Sequence, residues 1–154
     1  ILFSKPYMAD HHVIVVLANS PIKSKADLAG KIVATQEGSS TVDAILKEPQ
    51  IANSMKELKK YPDNVVTFID LKAGRVEAIV IDEISARYYI TKKSKEVDAY
   101  KIIDDKFPSS MMAVGLRKSD TELQAQLQKV LDDMKKDGTS AKISKEWFGE
   151  DLVL

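Results

Sequence analysis

The residues best suited to chemistry in this chain are the run Gln36-Glu37-Gly38-Ser39-Ser40-Thr41 and, further along, Asp82. A glycine followed by three hydroxyl residues where a helix begins offers free N–H groups and the positive end of a helix dipole, an environment that suits an anion. The competing reading is an ordinary helix cap, for which one hydroxyl suffices. Spacing does not separate the two. The run is not a phosphate loop, because the Gly-Lys-Ser/Thr signature is absent. Asp82 closes the apolar run Ile79-Val80-Ile81, and ligands of open α/β sheets gather outside the carboxyl ends of strands. Taken alone, Asp82 more usually caps the helix that follows. Taken together, an anion-binding turn and a carboxylate suit a zwitterion, with the turn on an α-carboxylate and Asp82 on an α-ammonium.

Other candidates carry less. His11-His12 lacks a third ligand, and adjacent histidines read as surface residues rather than a metal site. Lys92-Lys93-Ser94-Lys95 reads as a solvated helix end. Tyr88-Tyr89 and Trp147-Phe148 read as packing. No serine, histidine and acid form a nucleophile motif. The chain has no cysteine, which excludes a disulfide frame, a thiolate metal site and a cysteine nucleophile. Lys+Arg and Asp+Glu balance at 23 each, so no net charge favours a nucleic-acid partner. No apolar run reaches the length of a membrane span. No metal and no cofactor is expected.

These groups need elements to hold them. The 154 residues, 44% hydrophobic and 30% charged, are ordinary globular composition with enough chain for a core. Residues 13–17 are an apolar, β-branched run, as in a strand buried on both faces. Asn19-Ser20-Pro21 breaks it, Ser24 caps a turn, and Gly30 ends that turn. Residues 31–36 form a second strand, and the hydroxyl run opens a helix carrying Val42, Ala44, Ile45 and Leu46 until Pro49. Residues 51–60 read as helix, 65–69 as strand, then Asp70 as the cap of a turn ending at Gly74. Residues 76–81 are a strand, 84–92 a helix, 100–103 and 113–116 short strands. This alternation is that of an open α/β sheet. Ser119 with Glu122 makes a capping box. Leu123, Leu127, Val130, Leu131 and Met134 recur at helical spacing up to a glycine cap at Gly138. A last helix covers 141–147.

The order of these landmarks resembles the polar amino-acid-binding proteins of bacterial ABC importers, the family 3 extracellular solute-binding proteins. Phe3-Ser4-Lys5-Pro6-Tyr7 is similar to that family's lead into its first hinge strand. Asp27-Leu28-Ala29-Gly30-Lys31 with Gln36, Gly38 and Ser39-Ser40 is similar to its strand and glycine-hydroxyl turn. Gly74-Arg75-Val76-Glu77-Ala78 with Asp82, Val114-Gly115-Leu116-Arg117-Lys118, and Asp137-Gly138-Thr139 with Trp147-Phe148-Gly149 follow in the family's order. The resemblance implies a two-lobed α/β fold of the periplasmic-binding-protein (Venus flytrap) type, with the second lobe nearly complete and the first lobe only partly present. Residues 1–9 would be a first-lobe strand and hinge, 10–110 the second lobe, and 111–154 the return hinge and first-lobe helices.

It further implies an extracytoplasmic protein, periplasmic or anchored as a lipoprotein, that is not an enzyme. A free amino acid would bind between the lobes, and a membrane permease of an ABC importer would be the partner. Gly38, Ser39 and Ser40 would hold the α-carboxylate and Asp82 the α-ammonium, with Gln36 or Glu37 lining the side-chain pocket. The family's carboxylate-pairing arginine lies upstream of this sequence, and neither Arg75 nor Arg117 takes its place. The chain, which opens Ile1-Leu2-Phe3-Ser4 without an initiator Met or signal peptide, reads as cut from something longer. The missing lobe segment, or self-association, would cover the stripe on residues 123–134. The alternatives are a receptor's ligand-sensing domain and a lyase on the same fold, with Glu83 or Glu37 as its general base.

Overall fold

The computed structural model describes residues 1–94 and 96–154, so Lys95 of the basic cluster lies outside the described residues. The strands and helices run β1 (Leu2–Phe3), β2 (Met8–Leu17), β3 (Ile32–Gln36), α1 (Ser40–Leu46), α2 (Pro49–Ala52), β4 (Glu57–Tyr61), α3 (Asn64–Lys72), β5 (Ala78–Asp82), α4 (Glu83–Tyr88), β6 (Tyr100–Met112), β7 (Gly115–Leu116), α5 (Thr121–Lys136) and α6 (Thr139–Phe148). They divide into two units: His11–Ser109, and Ile1–Asp10 with Ser110–Leu154.

The unit His11–Ser109 is built on a sheet of order β4-β3-β5-β2-β6. Strand β3 runs parallel to β4 and to β5, pairing Val33 with Ala78 and Ala34 with Ile79. Strand β2 runs antiparallel to β5, pairing His12 with Asp82 and Ile14 with Val80. Alternation sends successive side chains to opposite faces. Val13, Val15, Ala34, Ile79 and Ile81 pack with Phe68 and Leu71 of α3, whereas Ile14, Val16, Val33, Ala78 and Val80 pack with Ala44 and Ile45 of α1. Both faces are covered, which is why these strands read as continuous apolar runs.

Three segments differ from the sequence reading. Residues 57–61 form strand β4 rather than helix, on the sheet's edge, where its lysines meet solvent and mask the strand's period. Residues 65–69, read as a strand, lie inside helix α3. Asp63 caps it by accepting from Val66 N at 3.0 Å, and Thr67, Phe68, Asp70 and Leu71 are buried at helical spacing while Val65 and Ile69 face out. Asp70 therefore caps no turn. Its carboxylate accepts from Arg75 Nε at 2.8 Å and from the buried Tyr61 hydroxyl, tying α3 to β4 and to the turn before β5. These bonds, Arg75's first, hold Asp70 down to about 2.

Smaller differences follow local chemistry. Helix α4 passes into a π-helical turn, Tyr89–Ser94, with Tyr89 stacked on Phe68. The strand at 100–103 continues to Met112. Ser24 is the N-cap residue of the short turn Lys25–Leu28, as the sequence suggests, and Asp27 completes a capping box there, its Oδ2 accepting from Lys23 N, Ser24 N and Ser24 Oγ. Ser119 makes no capping box, since α5 starts from Asp120 and the Ser119 hydroxyl donates to Asp120 Oδ1. Gly138 is left-handed at φ 82° just past α5, a conformation glycine adopts at little cost.

In the unit Ile1–Asp10 with Ser110–Leu154, β1 and β7 form a two-stranded antiparallel pair, with Met8 bridging to Val153. Helix α5 buries none of its residues, and Leu123 and Val130 are half exposed. Tyr7, Met8, Leu131, Met134, Ile143 and Phe148 line an apolar groove of about 430 Å³.

Candidate functional site

Strand β3 ends at Gln36, whose amide Nε2 donates to Pro62 O at 3.3 Å, and Glu37 N donates to Tyr61 O at 2.8 Å. The chain turns at Gly38 with φ 68°, a left-handed conformation that a side chain would strain. Ser39 then stands in the N-cap position of α1 but does not cap it, because its hydroxyl donates back to Gln36 O at 2.8 Å. The first N–H groups of α1 are thus left without a serine cap, in keeping with an anion-accepting turn. Ser40 is exposed, Ser39 half-buried, and Thr41 is buried beneath them.

Asp82 ends β5 and caps α4 through Oδ1, which accepts from Ser85 N at 2.7 Å. A carboxylate keeps further lone pairs for a second partner on its other oxygen. Capping therefore does not exclude ligand binding, and the half-buried side chain combines shelter with access. Strands β3 and β5 are parallel neighbours, so the glycine turn and Asp82 lie at the same carboxyl edge of one sheet. Alternation with Val80 puts the Asp82 side chain on the face that α1 covers.

Two further residues stand beside this pair: His12, which the sequence did not mark as a site residue, and Glu83, the general base of the lyase alternative. His12, read as a surface residue, is 2% exposed. It sits opposite Asp82 in the strand register, and its Nδ1 lies 3.1 Å from the Thr41 hydroxyl on α1. The correction follows from strand periodicity: two residues before Ile14, His12 shares that residue's face, and only His11 can turn outward. Burial lowers the His12 pKa below the usual histidine value, with Asp82 opposing and His11 and Lys47 adding to the fall.

Glu83 follows Asp82 and is buried to 2% exposure, with Arg87 Nη2 at 2.8 Å and Lys106 Nζ at 2.9 Å on its two oxygens. Burial alone would raise its pKa, but hydrogen bonds from Lys106 and Arg87 outweigh it and hold the carboxylate below its ordinary value. A carboxylate clamped in that way is a poor general base. Glu37 is exposed at the turn.

The family model of the bacterial extracellular solute-binding proteins, family 3, matches residues 1–150. The lysine/arginine/ornithine-binding periplasmic protein of Escherichia coli is 34% identical over 149 residues, covering 94% of this chain and 56% of that protein. A polar amino acid ABC uptake transporter substrate-binding protein from Streptococcus thermophilus superposes with a TM-score of 0.79 at 33% identity, over 99% of this chain and 59% of that one. A second such protein, from Streptococcus pneumoniae and with histidine bound, gives a TM-score of 0.79 at 32% identity, over 99% and 63%. The chain thus spans less than two thirds of each of these relatives.

Proposed function

This chain belongs to the bacterial extracellular solute-binding proteins, family 3, and we propose on that premise that it forms part of an extracytoplasmic amino-acid-binding protein serving an ABC importer. The unit His11–Ser109 is its second lobe, and Ile1–Asp10 with Ser110–Leu154 is the share of the first lobe carried here. The α-carboxylate of a free amino acid binds at Gly38, Ser39 and Ser40, the α-ammonium binds Asp82, and Gln36 borders the ligand side chain. The observation that carries this reading is the shared edge of the sheet. A turn with uncapped N–H groups and a half-buried carboxylate stand at the ends of adjacent parallel strands, where one zwitterion can meet both.

A binding role rather than a catalytic one is supported by Glu83, whose two oxygens are already engaged by cations. The partner that receives the ligand is a membrane permease. The test is a thermal-shift screen of the full-length protein against each of the twenty standard amino acids. One amino acid, or a few of similar side chain, should raise Tm. Saturation at a hundredfold above Kd stabilises by about 2.7 kcal/mol. No shift with any of them would reject the reading.

A further inference from the structure

Behind the proposed ammonium site, Asp82, stand three buried polar residues, His12, Thr35 and Thr41, that amino-acid binding itself does not require. His12, Thr35, Thr41 and Asp82 sit at the carboxyl edge of the sheet. Thr35 follows from alternation with Val33, and His12 and Asp82 from alternation with Ile14 and Val80, onto the face covered by α1. His12 and Asp82 are direct cross-strand partners, which places their Cβ atoms about 4.5–5.5 Å apart. The His12 ring is oriented by its 3.1 Å contact with the Thr41 hydroxyl. Among the described residues Thr35 Oγ1 is buried with no hydrogen-bond partner, so the patch is polar without being closed on itself.

A carboxylate shared between a neighbouring imidazole and an incoming ammonium serves two cations with one charge. We infer that protonated His12 competes with the ligand's ammonium for Asp82, so that amino-acid capture at this site is proton-linked and weakens on mild acidification. The inference rests on Asp82 being the ammonium site. Burial and the neighbouring charges together set the resting state of His12. Burial disfavours the imidazolium most, His11 on the same strand and Lys47 at the end of α1 disfavour it further, and only Asp82 favours it. The ring is therefore neutral at neutral pH, and the charge of Asp82 is free for the ligand.

Ammonium bound at Asp82 cancels the one attraction that favours a proton on His12. Coupling between two binding events is reciprocal, so a proton on His12 weakens the ligand by the factor by which the ligand weakens the proton. Binding expels part of a proton. Affinity therefore falls as pH drops through the ligand-free titration of His12, and levels off below the ligand-bound one.

The experiment follows the His12 ring by NMR in full-length protein labelled at histidine, assigned by the resonance lost in His12→Asn. The titration is run with and without a saturating mixture of the twenty standard L-amino acids. The mixture should move the His12 titration to lower pH, and Asp82→Asn should abolish that movement. Calorimetry should show wild-type affinity falling about threefold or more as pH drops through the ligand-free His12 titration that the NMR locates. His12→Asn keeps a polar group for Thr41 but cannot ionise, and its affinity should stay nearly level over that range. If the mixture raises Tm while the His12 titration stays put, or if His12→Asn keeps the full pH dependence, the inference is overturned and amino-acid binding stands. If the mixture raises no Tm at neutral pH, the binding reading fails and takes this one with it.

Discussion

Asp82 carries two demands on one side chain. Its Oδ1 caps α4 at 2.7 Å from Ser85 N, and its charge is the proposed anchor for an ammonium. Removing the carboxylate therefore has two separable costs. Loss of an N-cap destabilises by about 0.5–2 kcal/mol. Loss of one partner of a buried charged pair weakens binding by roughly 2–5 kcal/mol. Asp82→Ala in the full-length protein should lower affinity by the larger amount while Tm falls only modestly. Asp82→Asn, which retains a hydrogen-bond acceptor, should lose less of both. Calorimetry paired with a melting curve separates the two effects, and unchanged affinity in Asp82→Ala would remove Asp82 from the site.

At the scale of elements, α3 is the part whose identity depended on packing. Phe68 is fully buried on the sheet face opposite to α1, stacked on Tyr89 at 3.8 Å between ring centroids and set edge-on to Tyr100. Truncating a core phenylalanine costs about 3–5 kcal/mol, the transfer term plus the cavity left behind. Phe68→Ala should therefore lower the denaturant midpoint strongly. The site on the α1 face does not touch Phe68, so the folded fraction should retain amino-acid affinity. A variant that loses affinity while fully folded would show that α3 supports the site more directly than the two separate core clusters suggest.

For the molecule as a whole, the open surface lies in the unit Ile1–Asp10 with Ser110–Leu154. Ile1, Phe3, Met111, Leu123, Val130 and Trp147 are each about half exposed or more, and α5, α6 and the segment at Pro6 to Met8 line an apolar groove in the same unit. Exposed apolar surface on this scale promotes association. The 154-residue chain prepared alone should therefore scatter light as species larger than a monomer. Adding excess amino acid should leave that size unchanged, because the proposed site lies on the other unit. A monodisperse monomer would contradict this.

The amino-acid sequence by itself determined the α/β class, the strands at 13–17 and 31–36, the hydroxyl turn at Gly38 and the position of Asp82 after an apolar strand. Each of these is a local signal: β-branched runs, a glycine beside hydroxyls, an acid at a strand's end. Tertiary structure alone decided that residues 65–69 are helical and 57–61 extended. A run of Val, Thr, Phe and Ile is compatible with either state until burial selects a face, and edge lysines hide a strand's period. It also decided the fate of the two histidines. Local sequence does not show which strand pairs with which, and the pairing of β2 with β5 is what sets His12 against Asp82.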